Sequence, residues 1–193
     1  MRGISGAMAG LALVAMAQAA TAEPRAEATG NWAGAAGGGF HFRATLDGVA
    51  DSVTLVIRNG MDGVPSTTVE PELVVPDFAL SAFATNRLEV VEGPEGSTLQ
   101  VVTDFADETG EGREVVSLRF IDFQFTVTGY AFRLAEYTDG GTRDYGCEID
   151  LLAGKVTEDG RTRDLPAMDL AALNASGWRH DAAFTRGWCS AGG

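Results

Sequence analysis

The side chains best suited to binding a metal lie in an acidic stretch near the middle of the chain. The candidate ligands are Asp104, Asp107, Glu108 and Glu111, with glycines between and after them. Calcium prefers several hard oxygen ligands, which a flexible loop of carboxylates can supply. The stretch therefore predicts a calcium site. Its spacing does not match the helix–loop–helix calcium motif, and an acidic loop that serves only solubility fits the same residues.

Motifs for catalysis are absent from the sequence. There is no G-x-S-x-G nucleophile elbow, no phosphate-binding G-x-x-x-x-G-K-[ST] loop and no dinucleotide fingerprint. The histidines, His41 and His180, are far apart in the chain. His180 and the adjacent Asp181 have the residue types of an acid/base or zinc site, but a solvated histidine fits the same pattern. A small hydrolase is therefore the weakest of the functional alternatives.

Aromatic residues offer another kind of site, a cavity for an apolar ligand. Most of them alternate with polar residues along the sequence, so they share one face of a predicted strand. Such side chains line the interior of ligand-binding β-barrels, and they also fill the core of barrels that hold no ligand. The candidate lining residues are Trp32, Phe40, Phe42, Phe120, Phe123, Phe125 and Phe132.

Two cysteines, Cys147 and Cys189, are the only ones in the chain. An even pair in an exported protein predicts a disulfide. In the chain-entropy model, a bridge that closes a loop of this size is worth about 4 kcal/mol. A redox role would call for the closer C-x-x-C spacing, so we expect the bridge to be structural.

The export prediction rests on residues 1–22, which resemble a cleaved signal peptide. Arg2 precedes an apolar stretch over 7–17, and small residues precede a cleavage point after Ala22. The stretch is shorter than the ~20 residues that span a bilayer, and no later stretch approaches that length. We therefore expect no transmembrane anchor, a periplasmic or secreted protein, a flexible tail over 23–29 and a single domain over 30–193.

The chain is acidic, with 27 Asp and Glu against 14 Lys and Arg and a formal net charge of −13. Such a surface repels nucleic acid and anionic membranes, and no basic run is present to neutralise phosphates. A basic partner protein or a cation suits it better, although acidity alone also keeps an exported protein soluble. Lys155 is the only lysine, which together with many alanines and glycines favours a bacterial, periplasmic protein.

Strands are the elements that must position these residues. Alternation of apolar and polar residues predicts strands over 40–46, 53–57, 67–75, 87–91 and 98–103. The stretch 115–137 is the most strongly β, with a turn or bulge near Asp122 and another at Gly129. Further strands are predicted over 145–151, 154–157, 161–165 and 182–188, with hairpin turns at Asp139-Gly140 and Asp159-Gly160.

One short helix is predicted over Leu170–Ala175. Asp169 has the residue type of an N-cap, and Gly177 that of a helix stop. Many short strands with glycine-rich turns, followed by a single helix, predict an all-β domain. A single antiparallel β-barrel with one short C-terminal helix is our first expectation, and a β-sandwich is the alternative.

The order of these elements resembles the lipocalins and related calycin barrels. Gly30-Asn31-Trp32 opens the domain as a G-x-W motif, and Thr142-Arg143-Asp144-Tyr145 resembles a late Thr-Asp-Tyr motif interrupted by Arg143. A short helix and a last strand follow, as they do in that family. The resemblance implies a barrel whose opening tryptophan, Trp32, closes the floor.

Taken together, the sequence predicts a non-enzymatic binding protein. Its ligand is either a small apolar molecule inside the barrel or a partner protein on the acidic surface. The alternative is a structural, envelope-associated protein that binds calcium through Asp104, Asp107, Glu108 and Glu111. Apart from this calcium, no cofactor is expected.

Overall fold

Antiparallel β-structure makes up most of this computed structural model, which describes residues 26–34, 38–49, 52–80 and 83–190. The described residues contain eleven strands in two sheets. The predicted signal peptide, residues 1–22, lies outside the described residues. No helix among the described residues is long and apolar enough to cross a membrane.

The smaller sheet has four strands in the order of the chain. They are β1 (Ala26–Asn31), β2 (His41–Val49), β3 (Ser52–Gly60) and β4 (Leu73–Ala79). The period-two pattern is confirmed in β3, where Val53, Leu55 and Ile57 are all buried.

Two sequence predictions are corrected in this sheet. Residues 26–29, predicted as a flexible tail, belong to β1 and pair with β2, because Ala26 and Ala28 pack against the core. The strand predicted over 67–75 begins only at Leu73, since a turn closed by the Val69 amide and the Ser66 carbonyl precedes it.

The larger sheet has seven strands, each paired with its neighbours in the chain. They are β5 (Ala84–Val91), β6 (Thr98–Ala106), β7 (Gly110–Ile121), β8 (Gln124–Thr138), β9 (Gly141–Asp150), β10 (Lys155–Glu158) and β11 (Arg161–Asp164). The turn predicted near Asp122 is a tight hairpin, in which Asp122 and Phe123 both have positive φ. The irregularity predicted at Gly129 is a bulge, because the pairing of β7 with β8 skips Thr128.

The core lies between the inward faces of the two sheets. From the large sheet, Leu99, Val101, Val116 and Leu118 contribute to it, so the intervening residues of β6 and β7 face outward. The all-β, antiparallel class is thus confirmed. The hydrogen-bonded ladders remain two separate sheets in the described residues, so the single closed barrel is not found there. At one seam, β1 lies beside β5, and the Ser97 amide donates to the Asn31 carbonyl at 2.9 Å.

The C-terminal segment covers the other side of the core. The predicted Cys147–Cys189 disulfide is confirmed, and its two Cα atoms are 6.0 Å apart. The predicted helix over Leu170–Ala175 is a 3₁₀ helix over Leu170–Leu173 followed by a second one over Ala175–Gly177. Asp169 caps the first of these by accepting from the Ala172 amide at 2.9 Å.

The last predicted strand, 182–188, is wrong. This segment holds the helix α1 (Ala182–Thr185), which ends before Gly187 at a φ of 68°. The adjacent residues Ala182 and Ala183 are both buried, which a strand with alternating faces does not allow. Hydrogen bonds from the Thr185 and Arg186 amides to the carbonyls of Asp181 and Ala182 close the turn.

Candidate functional site

A groove runs across the outward face of the large sheet, from β5 to β10. It has a volume of about 1030 Å³ and is lined by Phe83 and Thr85 at one end, Ala135 and Gly146 in the middle, and Asp159 at the other end. Crossing six strands means five spacings of about 4.8 Å, which gives a length of about 24 Å. We call this feature the outer groove. Its volume is that of a ligand pocket.

A smaller depression of about 590 Å³ adjoins the outer groove on the same face. Arg113, Glu148 and Thr157 line both, so the two form a continuous concave surface. Val102 lies in this depression and is only 2% exposed although it faces away from the core. Val102 pairs in register with Arg87 of β5 and Val115 of β7, and the side chains of both line the same depression.

Strand register places three outer-groove residues side by side in one row. Glu111 of β7 pairs with Ala135 of β8, and Ala135 pairs with Asp144 of β9. Glu111 and Asp144 are exposed, and Ala135 between them is too small to fill the space. The row therefore has one carboxylate on each side of the small Ala135 side chain.

Two arginines occupy the next outward row of the groove. Arg113 and Arg133 pair directly across β7 and β8. Like charges in this position repel, and each guanidinium is compensated on its far side. Arg113 binds Asp104 at 2.6 Å, and Arg133 binds Glu148 at 2.6 Å. Both pairs are solvent-exposed, so each contributes little to stability.

Asp104 of β6 is the centre of a small ion network near the β5 end of the groove. Its carboxylate binds both Arg87 and Arg113. The hydrogen bond from Arg113, followed by that from Arg87, holds the pKa of Asp104 below its usual range. Asp104, the first of the predicted calcium ligands, is therefore already paired with two arginines.

The other predicted calcium ligands are dispersed. Asp107 accepts from the Thr109 amide at 2.7 Å and from the Gly110 amide at 3.2 Å, so it caps its own hairpin loop. Glu108 is exposed, and Glu111 lines the outer groove. Across the described ranges, no group of three or more His, Cys, Asp or Glu side chains is arranged to hold a metal ion.

The predicted aromatic lining residues fall into two clusters and one isolated tip. Trp32 stacks on Phe42 at 4.0 Å between ring centroids and donates its indole N–H to Asn59 at 2.9 Å. Phe40, Phe120 and Phe125 complete that cluster through edge contacts. These rings contact one another and lie away from the outer groove. The prediction that they line a ligand cavity stays a prediction.

Phe132 and Phe123 lie outside that cluster. Phe132 packs on Phe105, Tyr145 and Phe184 under the C-terminal segment. Phe123 occupies the β7–β8 hairpin and is 96% exposed.

The histidines are not brought into a recognisable catalytic arrangement. His41 begins β2 in the small sheet. His180 belongs to the C-terminal segment, where its backbone amide donates to the Asp77 carbonyl at 3.2 Å.

Sequence reasoning missed the outer groove as a site. It named Glu111 only as a calcium ligand and did not single out Ala135, Arg113 or Phe83. One signal was present in the strand 115–137, where the small residues Gly129, Ala131 and Ala135 share the outward phase. Small residues repeated on an outward strand face allow a ligand or another backbone to approach the sheet closely.

Comparison with known proteins gives no counterpart. No family model, no curated protein and no solved structure matches the chain. The resemblance to lipocalins therefore stays a prediction. The function has to be inferred from the geometry of the outer groove itself.

Proposed function

We propose that this protein is a non-enzymatic binding protein that holds an extended segment of a partner protein in the outer groove. The observation that carries the proposal is the groove of about 1030 Å³ that crosses β5 to β10. Its length of about 24 Å accommodates about seven residues of extended chain, at about 3.3 Å per residue. A long, open groove suits a chain better than it suits a small molecule, which a closed pocket would enclose.

The groove is built on a rigid platform. Every strand that it crosses is paired on both sides except β5, and the face beneath carries the apolar core. Binding surfaces that are already formed lose little conformational entropy when the partner arrives. The exposed guanidinium groups of Arg113 and Arg133 supply N–H donors, which suit the backbone carbonyls of an extended peptide.

An apolar ligand inside the domain is less well supported. The rings predicted to surround it contact one another, as in the 4.0 Å stacking of Trp32 on Phe42. Aromatic rings packed in this way fill a core. The partner-protein alternative therefore agrees better with the described geometry.

We also propose that the protein works in the periplasm or outside the cell, and that the two sheets form an open, barrel-like sandwich. The Cys147–Cys189 disulfide favours an oxidising compartment. The contact of β1 with β5 at one seam and the C-terminal segment at the other favour the barrel-like arrangement.

Peptide display tests the proposed function. A library of random peptides, each about twelve residues long, is selected on the immobilised wild-type protein. Affinities of the enriched peptides are then measured by fluorescence polarisation. Ala135→Trp fills the floor of the outer groove, and Val74→Trp is the matched control, because Val74 is exposed on β4 of the other sheet. Thermal melting checks that both variants fold.

We expect enriched peptides that lose about tenfold or more in affinity for Ala135→Trp and keep their affinity for Val74→Trp. Absence of any enriched peptide contradicts the proposal, and so does equal binding to the wild type and Ala135→Trp. If Ala135→Trp does not fold, Ala135→Gln replaces it and is judged by the same comparison.

A further inference from the structure

We infer that the segment bound in the outer groove is basic, and that one of its arginine or lysine side chains lies over Ala135 between Glu111 and Asp144. This inference rests on the proposed function and adds the chemistry of the partner. It is carried by the charges along the groove and by their arrangement in the register of β7, β8 and β9.

The first argument is the balance of charge within the groove. Five carboxylates line it, from Asp104, Glu111, Asp144, Glu148 and Asp159, against the two guanidinium groups of Arg113 and Arg133. Both arginines are already paired, one with Asp104 and one with Glu148. Arg87 adds a second cation at Asp104, but Glu111, Asp144 and Asp159 take part in no ion pair among the described residues, so the lining keeps an excess of negative charge.

The second argument is the geometry around Ala135. Glu111 and Asp144 flank this alanine across two strand spacings, so their Cα atoms are about 10 Å apart. That gap is wide enough for a guanidinium or ammonium group to approach both carboxylates. A planar guanidinium has N–H donors on several edges, which lets one arginine bind a carboxylate on each side.

The third argument is how the neighbouring arginines limit the ligand. Arg113 and Arg133 lie across one strand pair, two residues along from the row of Glu111 and Ala135. A second basic side chain placed over them meets repulsion, whereas a backbone carbonyl or a small polar residue does not. The groove thus favours basic residues that are spaced apart and disfavours an uninterrupted basic run.

Long-range electrostatics favour the same partner. The whole chain carries a net charge of −13, which attracts a basic segment and raises its rate of association. This effect acts on any cation at any part of the surface, so the test has to separate it from the specific contribution of Glu111 and Asp144.

Three defined peptides serve as probes. Each has seven residues and blocked ends, and alternates glycine with arginine, glutamine or glutamate. Affinities are measured by isothermal titration calorimetry at low and at physiological salt. Glu111→Gln and Asp144→Asn are compared with Glu108→Gln and Asp139→Asn. The controls remove the same charge from adjacent exposed positions that do not line the groove.

We expect the arginine peptide to bind best, and salt to weaken its binding. Glu111→Gln and Asp144→Asn are each expected to weaken it about three- to fivefold, and the double variant about tenfold or more. The two control variants are expected to change it less than twofold. Replacing both residues by lysine is expected to reverse the preference toward the glutamate peptide.

Equal losses in the groove variants and the controls overturn the inference, because only the overall charge then matters. Tighter binding of the glutamine or glutamate peptide to the wild type also overturns it. If displayed peptides are lost in Ala135→Trp but are not basic, the proposed function stands and this inference fails. If Ala135→Trp does not change the affinity of the displayed peptides, the proposed function itself fails.

Discussion

The Tyr130 hydroxyl lies beside the carboxylate of Glu114 inside the core, and no cation among the described residues pairs with that carboxylate. Glu114 is 5% exposed, and its Oε1 atom makes no hydrogen bond. Desolvation is the largest influence on this group and raises the pKa of Glu114 to about 8. The negative charge of Asp181 adds to the rise.

This relationship predicts a specific pH dependence of stability. Because the folded pKa lies above the unfolded value, the folded state favours the protonated acid. The stabilisation is complete below about pH 4.5 and is lost as the pH rises toward about 8. Glu114→Gln keeps the shape and cannot ionise, so we expect it to raise the free energy of unfolding at pH 9 by about 1–3 kcal/mol.

Urea unfolding of wild type and Glu114→Gln at pH 5, 7 and 9 measures this effect. The difference between the two proteins is expected to grow in favour of the variant as the pH rises. Glu111→Gln, an exposed neighbour on β7, is the control and is expected to show no such trend. A constant difference between wild type and Glu114→Gln at all three pH values contradicts the interpretation.

The disulfide predicts a large effect on the C-terminal segment. Cys147 and Cys189 are both buried and tie the segment after α1 to β9. Replacing both by alanine is expected to lower the free energy of unfolding by about 2–4 kcal/mol. Urea unfolding and limited proteolysis measure this loss, with cleavage expected first within 165–190. A double variant as stable as the wild type shows that the core alone holds the segment.

The seam between the sheets predicts that Gly96 cannot carry a side chain. Gly96 has a φ of 113°, and a Cβ atom there would lie 1.8 Å from the carbonyl oxygen of Trp32. Gly96→Ala is therefore expected to destabilise the protein by about 2–4 kcal/mol. Gly141→Ala is the matched control, since Gly141 also has a positive φ, of 130°, and a Cβ there meets no atom within 4 Å. Thermal melting distinguishes the two, and equal melting temperatures contradict the close approach.

The strands were predictable from sequence because their signal is local. In β3, a period of two places Val53, Leu55 and Ile57 on one face whatever their partners are. The same pattern gave a wrong prediction for the segment over 182–188. The residues over 182–188 were interpreted as a strand, but the adjacent Ala182 and Ala183 are both buried in the core and Ala182–Thr185 forms a helical turn.

The outer groove was not predictable because its signal is not local. Glu111 and Asp144 are far apart in the chain. They lie in one row because each pairs with Ala135, so their proximity depends on the register of β7 with β8 and of β8 with β9. The bulge at Thr128, which precedes Ala135 in β8, shifts the pairing with β7 by one residue and so helps to fix the register of β7 with β8.

Calcium is expected to leave the stability of the protein unchanged. Asp104 is bound by Arg87 and Arg113, and the Oδ1 atom of Asp107 accepts hydrogen bonds from its own loop, so both carboxylates are already engaged by groups of the protein. The melting temperature is measured with millimolar calcium and with a chelator, and the two values are expected to agree. A calcium-dependent rise that is lost in Asp107→Asn would restore the calcium prediction, because a ligand of the native state raises its stability.

Phe83 is expected to be the apolar anchor of the bound segment. Phe83 and Phe123 are both exposed, at 80% and 96%, and both have positive φ, at 54° and 63°. Only Phe83 lines the outer groove. We therefore expect Phe83→Ala to weaken binding of the displayed peptides about fivefold or more, as loss of an aromatic contact does in other interfaces. Phe123→Ala is the control, because it removes another exposed ring, in the β7–β8 hairpin. The affinity of this variant for the displayed peptides, measured by fluorescence polarisation, is expected to match that of the wild type. Equal effects of the two substitutions contradict a role for Phe83 in the groove.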